Sequence, residues 1–574
     1  MVITGATGSG KSTEVPRWCP RPVVVVEPRR VACRALAARV AELEGVEVGA
    51  EVGYAVRDDR RAAEDTGILF VTPGVALRSL ARLSARSAAF VLDEVHERTL
   101  ETDLLLALLR GPDTRDRLVA MSATIDGEGF AQRLGATHLH AEGRSFPVEI
   151  DHVESGPTVP TSDRLAERVA RAIERGEGDT LAFLPGKAEI ARAHAALRSV
   201  DAEVMELHAQ VRPEDQMRVF RPASRRKVVL STNVAETSVT VPGIRLVIDS
   251  GLARQVRYVQ GRGTLVLAPI ARDAAEQRAG RAGRTGPGRC LRLWQRHAHL
   301  EATTPPELHR VSLVPLVLAA AAHGRHPEEL EWLDPPKAHA VDEAREELQR
   351  LDALDAAGAI TERGRALFRL PLDPWLGRLL VEAEGTALID DMIDLAAVLS
   401  VGRSVFRGPL QEEEDPREDG CDLTAGLLAL RGRGGPAADR GALAEARTHR
   451  KRLRSLFGRK GAEPGGRSEI PRQALLDLVL RADPRAARVR RTRGRHSYWA
   501  GEGSEMELDR HSAVSLRASR PEEKEPEAIV VLGLRSFREG HGADPWSGET
   551  VGVEGGQSYA RGQRDGQTQT RAFS

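Results

Sequence analysis

Gly5-Ala6-Thr7-Gly8-Ser9-Gly10-Lys11-Ser12 is the stretch on which the reading of this chain turns. Glycines at both ends of a four-residue spacer let backbone N–H groups turn inward around a phosphate. A helix opening near Lys11 would aim its positive end at the same point. In such a loop Gly5, Thr7, Gly8, Ser9, Gly10, Lys11, Ser12 and Thr13 cradle a nucleotide, Lys11 reaches the β- and γ-phosphates, and the Ser12 hydroxyl ligates Mg²⁺. The rival reading is a chance Gly-rich turn. A short apolar run, Val2–Thr4, precedes the stretch and a helical pattern follows it, which is the context a phosphate loop requires.

Working outward, Val23–Val26, Ile68–Thr72, Phe90–Leu92 and Leu118–Ser122 are short β-branched or apolar runs separated by helical stretches, the pattern of buried parallel strands. The third of these ends in Asp93-Glu94-Val95-His96. An apolar strand ending in two carboxylates suits a site where Asp93 holds the Mg²⁺ shell and Glu94, a further candidate for that shell, orients or deprotonates an attacking water. A solvated acidic strand end is the alternative. Residues 149–297 repeat the style with Thr180–Leu184, Val228–Thr232 and Leu246–Ile248, so the sequence predicts two doubly wound α/β lobes with sites at the carboxyl ends of their strands.

The second lobe carries Gln277-Arg278-Ala-Gly-Arg281-Ala-Gly-Arg284. Arginines three apart on a helix share one face, and the small residues between them let another surface approach. Arg281 and Arg284 are candidates for arginine fingers on a γ-phosphoryl group, with a plain nucleic-acid-binding or solvated basic helix as the alternative.

Bulk composition bounds the rest. The 574 residues carry 83 Lys+Arg against 83 Asp+Glu, so net charge says nothing for or against nucleic acid. Cys19, Cys33, Cys290 and Cys421 are far apart and form no CxxC pair, which argues against a structural zinc site or a disulfide framework. No apolar run approaches the ~20 residues of a membrane span, and Met1 leads straight into a strand rather than a signal peptide. A cytoplasmic protein without membrane contact is expected.

Taken in order, these motifs resemble those of DEAH-box superfamily-2 helicases, particularly the bacterial HrpB-like branch, and the resemblance runs from Val2 to about Pro374. Pro28-Arg29-Arg30-Val31-Ala32 is similar to the family's motif Ia, Thr72-Pro-Gly74 to motif Ib, and Asp93-Glu-Val-His96 to the DEAH box. Ser122-Ala-Thr124 resembles motif III, Phe183-Leu-Pro-Gly186 motif IV, Ser231–Ser238 motif V and Gln277–Arg284 motif VI. The resemblance implies an ATP-dependent RNA helicase moving 3′ to 5′. In it Gln277 positions the lytic water beside Lys11, Glu94, Arg281 and Arg284, while His96, Ser122 and Thr124 couple hydrolysis to lobe movement. Arg29, Arg30, Thr72, Thr232 and Asn233 would grip the backbone of a single strand. Arg39 and Phe220 stand where the family sandwiches the adenine, an arrangement that accepts other NTPs beside ATP. Implied partners are single-stranded RNA, or an RNA duplex with a single-stranded overhang, and a protein activator that the sequence leaves open. A single-stranded DNA translocase and an RNA- or RNP-clamping NTPase without unwinding are the alternatives.

The chain departs from the family at Pro242, where many relatives carry an acidic residue, and only Met1–Thr4 precede Gly5 where relatives have a longer segment. The expected organisation is a first RecA-like lobe at 1–148, a second at 149–297, and a winged-helix module at 298–370. A helical bundle at 371–480 is interrupted by the acidic loop Glu412–Asp419, a small OB-like or diverged β segment occupies 481–540, and a disordered tail ends the chain at 541–574. Leu252–Val259 and Thr264–Pro269 flank Gln260-Gly-Arg-Gly263 and predict a hairpin where the family has a strand-separating one; an ordinary surface hairpin has the same spacing. Two basic runs, Arg447 to Lys460 and Arg485 to Arg495, the latter followed by Tyr498-Trp499, are either secondary nucleic-acid contacts or solvated faces.

Overall fold

A computed structural model describes the chain except residues 6–7, 58, 112–113, 115–116, 124–125, 144–145, 154–161, 237–239, 260–261, 402–404, 407–420, 434–437, 460–469, 494–495, 502–503, 509–511, 515–525, 535–568 and 572–574. Thr7, Thr124, the acidic loop and the hairpin tip Gln260–Gly261 therefore lie outside the described residues.

The first lobe runs β1 (Val2–Gly5), α1 (Lys11–Trp18), β2 (Val23–Val26), α2 (Arg30–Glu44), β3 (Val52–Val56), β4 (Asp59–Arg61), β5 (Ile68–Val71), α3 (Pro73–Arg78), α4 (Leu80–Arg86), β6 (Ala89–Leu92), α5 (Leu100–Leu109), β7 (Leu118–Ser122), α6 (Gly127–Leu134) and β8 (His138–Ala141). Its sheet has the order β4-β3-β5-β2-β6-β7-β1-β8, parallel throughout except for the β3–β4 ribbon. Central strands are apolar on both faces because helices cover both: Val25, Phe70 and Val91 meet α1 and α2, while Val24, Phe90 and Leu92 meet α3, α4 and α5. That burial places Gly5, Asp93 and Ser122 side by side, since β6, β7 and β1 are neighbours and all three residues stand at carboxyl ends.

The second lobe comprises β9 (Val148–His152), α7 (Ser162–Arg175), β10 (Thr180–Phe183), α8 (Lys187–Ala196), β11 (Glu203–Leu207), α9 (Pro213–Val219), β12 (Lys227–Ser231), β13 (Leu246–Asp249), β14 (Leu252–Val259), β15 (Arg262–Pro269), α10 (Arg272–Gly280) and β16 (Gly288–Arg292). Its sheet is parallel in the order β11-β12-β10-β13-β16-β9. Strands β14 and β15 form a separate antiparallel hairpin, tied to α8 by the 3.0 Å Arg254–Glu189 ion pair. The two lobes are tandem RecA-like units of similar size. Val31 of α2 packs into the second lobe's core with Val219, Val229 and Ala235, and α2 lies against α9 across the cleft.

Beyond them, α11 (Val314–Ala322), α12 (Ala338–Arg350) and α13 (Glu362–Arg369), with an antiparallel bridge Leu354–Ile360, share one apolar cluster with α3–α5 of the first lobe. Helices α14 (Pro374–Ala383), α15 (Ile389–Leu399), α16 (Asp422–Leu430), α17 (Arg440–Leu456) and α18 (Arg472–Ala482) follow as a bundle in which Met392 and Leu395 are buried. Strands β17 (Ala487–Arg493), β18 (His496–Gly501), β19 (Ser504–Leu508), β20 (Ala528–Val530), β21 (Gly533–Leu534) and β22 (Gln569–Arg571) pair in the order β20-β17-β18-β19-β22-β21.

Three sequence expectations need correction. Of the tail expected to be disordered, the described residues Gln569–Arg571 form a strand between β19 and β21, because a sheet edge with unpaired amides accepts an extended segment. Part of the Arg447–Lys460 run is taken up within the bundle: Arg454 and Arg459 both pair with Asp390 at 2.7 and 2.8 Å, and Arg450 is buried beside Asp394, while Arg447 and Lys451 stay exposed. In the second run Arg485 binds Glu347 of α12 through two bonds of 2.7 and 2.6 Å, and Trp499 is a core residue packed on Met506, Val514 and Ile529 rather than a stacking platform. Among the described residues no helix is long and apolar enough to cross a membrane.

Candidate active site

Backbone geometry builds the phosphate loop. Gly8 and Gly10 take positive φ values of 97° and 85°, the region where glycine is nearly cost-free, and Gly10 caps α1 so that Lys11 opens the helix. Gly5 is required by close approach: a Cβ there would sit 2.7 Å from the Ala141 carbonyl on β8. The Thr13 hydroxyl donates to the Gly10 carbonyl at 2.9 Å and closes the first turn. Lys11 is buried, and Ser9 Oγ is buried with no hydrogen-bond partner among the described residues.

Asp93, fully buried after β6, faces this loop. Burial, then the Glu94 charge, raises its carboxyl to about 6, while Lys11 and the Ser12 hydroxyl pull it down. Asp93 Oδ1 accepts the Glu94 backbone N–H at 2.8 Å, and Oδ2 has no hydrogen-bond partner among the described residues. A buried orphan carboxylate oxygen beside a serine hydroxyl fits a hard divalent cation such as Mg²⁺. Glu94 sits at φ 49°, in the left-handed region that non-glycine residues adopt only when their surroundings enforce it. His96 Nδ1 lies 3.1 Å from Ser122 Oγ and 3.4 Å from Glu94 Oε2, so the box on β6 and the end of β7 share one imidazole.

The second lobe's arginines divide, and this corrects the reading of one helical face. Helix α10 stops at Gly280, and Arg281–Gly283 form a tighter 3₁₀ turn. Arg278 turns inward: Nη1 binds Asp249 at 2.9 Å, Nε binds Glu236 at 3.1 Å, and the guanidinium lies 4.8 Å from the centre of the Phe183 ring. Arg281 and Arg284 turn instead to the cleft. Arg281 also donates to the Glu236 carbonyl, and Arg284 to the Thr240 hydroxyl. Burial, then the neighbouring Arg284, pushes the Arg281 guanidinium well below its ordinary value; burial brings Arg284 down to about 10. The Glu94 carboxylate of the first lobe opposes both shifts. Two cations, Arg281 buried and Arg284 half-buried, thus lie within the electrostatic reach of the carboxylate at the end of β6, an arrangement suited to binding an anion. Gln277 is half-buried one residue before Arg278.

The remaining candidates scatter. Arg29 is largely buried and pairs with Glu97 at 2.8 Å. Arg30 and Thr72 line a cavity of about 540 Å³ between the first lobe and α11, α13 and α14. Thr232 and Asn233 follow β12, half-buried and exposed respectively. Arg39 is exposed on α2 and pairs with Glu42, while Phe220 caps α9. Sequence reasoning missed Glu236, which joins Arg278 and Arg281 and acts on Arg29 across the cleft. Its only signal was being the sole acidic residue in Ser231–Ser238. Arg98 was missed too. At φ 47° it pairs with Asp103 and with Asp334, fastening the end of the box to the segment before α12.

Comparison with known proteins follows this geometry. The Helicase conserved C-terminal domain matches residues 164–286, and the Helicase associated domain (HA2), ratchet-like, matches residues 373–462. The Saccharomyces cerevisiae protein named Probable ATP-dependent RNA helicase DHR2 is 36% identical over 455 residues, 72% of this chain and 61% of that protein. The chain is thus similar to DEAH-box helicases in both sequence and fold. Among solved members, the Escherichia coli DEAH/RHA helicase HrpB is 29% identical with a TM-score of 0.74, over 93% of this chain and 66% of that one. A second structure, the E. coli DExH-box NTPase HrpB, matches at 29% identity and a TM-score of 0.70, over 95% of this chain and 65% of that one. The chain therefore spans three fifths of the yeast relative's length and about two thirds of the HrpB chains.

Proposed function

We propose that the chain hydrolyses ATP, and other NTPs, with Mg²⁺, and uses the cycle to move along or unwind RNA. The observation that carries this reading is the phosphate loop at the end of β1, with Gly8 and Gly10 at positive φ and Lys11 opening α1, set beside the buried Asp93 whose Oδ2 has no hydrogen-bond partner among the described residues. Residues 1–148 and 149–297 are the two motor lobes, 298–370 a winged-helix module and 371–480 a ratchet-like bundle. Ser12, Asp93 and Glu94 would hold Mg²⁺, which when bound supplies charge neutralisation at the β- and γ-phosphates. Lys11 neutralises the same oxygens, and Glu94 with Gln277 aligns the attacking water. Arg281 and Arg284 stabilise charge on the γ-phosphoryl group only when the cleft is closed. His96, held between Glu94 and Ser122, couples that chemistry to lobe movement. Arg39 and Phe220 stack the base. Arg29, Arg30, Thr72, Thr232 and Asn233 contact single-stranded RNA or the overhang of a duplex, and the location is cytoplasmic.

The test is NTP turnover with and without poly(U), in Mg²⁺ and in EDTA. Strong stimulation by RNA that EDTA abolishes supports the proposal; RNA-independent turnover refutes the motor reading.

A further inference from the structure

From the cavity geometry we infer that Glu101 is a specificity-determining residue, accepting a hydrogen bond from a ribose 2′-hydroxyl and so selecting RNA over DNA. The inference rests on the nucleic-acid reading above and deepens it.

The cavity of about 540 Å³ that holds Arg30 and Thr72 also holds Arg57, Arg78, Gly74 and Glu101. Three arginines make its polar wall cationic, as a phosphate backbone requires. Two carboxylates line it as well: Asp373 caps α14 by accepting the Trp375 backbone N–H at 2.9 Å, and Glu101 is the one on which the arginines Arg57 and Arg78 act. A carboxylate beside phosphates is repulsive unless it faces a donor, and phosphates offer none. The donor that an RNA backbone carries and DNA lacks is the 2′-hydroxyl.

The chain builds a specific seat for this carboxylate. Glu101 is the second residue of α5, and its carboxylate lies close against the Gly74 backbone at the start of α3. A Cβ on residue 74 would lie 2.6 Å from Glu101 Oε1 and 3.0 Å from Oε2, so the contact exists only because position 74 is glycine. Arg78 and Arg57 act on the same carboxylate from opposite sides in the sequence. An ionised carboxylate accepts about four hydrogen bonds, so one seated against Gly74 keeps acceptor capacity facing the cavity. Thr72, two residues before Gly74 at the start of α3, lines the same cavity.

The experiment uses the full chain and three single-stranded probes, oligo(U), oligo(dU) and 2′-O-methyl oligo(U), reading both binding anisotropy and half-maximal stimulation of ATP turnover. Wild-type protein should bind oligo(U) about tenfold more tightly than the other two, the scale of one hydrogen bond to a charged acceptor. Glu101→Ala should lose about tenfold on oligo(U) while holding oligo(dU) within about twofold, and Glu101→Gln, which keeps an acceptor oxygen, should recover part of the loss. Thr72→Ala should weaken all three probes alike. Equal wild-type affinity for oligo(U) and oligo(dU), or a Glu101→Ala loss shared equally between them, overturns the inference while leaving the motor intact. Absence of binding and stimulation by every probe overturns the underlying function as well.

Discussion

Arg278→Ala is the substitution that best separates the two jobs done by motif VI. Arg278 is 1% exposed and Asp249 0%, and their 2.9 Å bond is joined by the 3.1 Å bond to Glu236 and the Phe183 ring at 4.8 Å. Truncation strands the Asp249 carboxylate in the second lobe's core, with the Gly251 backbone N–H at 2.9 Å as a neutral donor. Removing one member of a buried pair costs about 3–5 kcal/mol, because the remaining charge stays desolvated. For a unit of this size each kcal/mol is worth about 2–4 °C, so the second lobe should melt on the order of 10 °C lower. Calorimetry with limited proteolysis of the second lobe reads the shift. The double variant Arg278→Met with Asp249→Asn should regain much of it, since the orphan charge is gone. Arg278→Ala melting within about 2 °C of wild type, while turnover collapses, would refute the assignment and make Arg278 a cleft residue.

Further outcomes follow from the same geometry. Glu94→Gln should bind nucleotide nearly as wild type and lose most turnover, whereas Lys11→Ala should weaken nucleotide binding too; equilibrium titration beside single-turnover kinetics separates them. If Arg39 and Phe220 stack the base as proposed, ATP, GTP, CTP and UTP should be hydrolysed within about one order of magnitude, and a thousandfold ATP preference would contradict the stacking assignment. Trp499→Ala should destabilise the C-terminal β unit by about 3–5 kcal/mol, leaving single-strand affinity unchanged; a selective loss of affinity would restore Trp499 as a stacking residue.

Much of the fold was legible because it is written locally. A phosphate loop is a spacing of glycines before Lys11, and a buried parallel strand is an uninterrupted run such as Val23–Val26, so neither needs a distant partner to be read. The rest depends on partners far away in the chain. Arg278, Arg281 and Arg284 look equivalent in sequence. They separate only because α10 stops at Gly280 and Asp249 lies beneath it. The basic run on α17 reads as a free charged face until Asp390 and Asp394 of α15 fold against part of it. Trp499 and Tyr498 alternate along β18, and only the packing of β20 and Met506 shows which side is inside. Glu101 carries no spacing signal at all; its place comes from the missing Cβ of Gly74.

The most direct test of a single shared site is the effect of Arg284→Ala on RNA-stimulated turnover and on RNA affinity, measured together. Arg284 lies 190 residues beyond Glu94, in a lobe whose described part has no phosphate loop, yet Glu94 is the charge acting on it. If closure of the cleft completes the site, Arg284→Ala should cut stimulated turnover roughly a thousandfold or more, and Arg284→Lys should rescue it poorly because a point charge lacks the planar fork. Single-strand affinity should stay near wild type, since it rests on separate phosphate contacts. A loss of RNA affinity in proportion to turnover would contradict this, and would make Arg284 part of a plain nucleic-acid-binding surface.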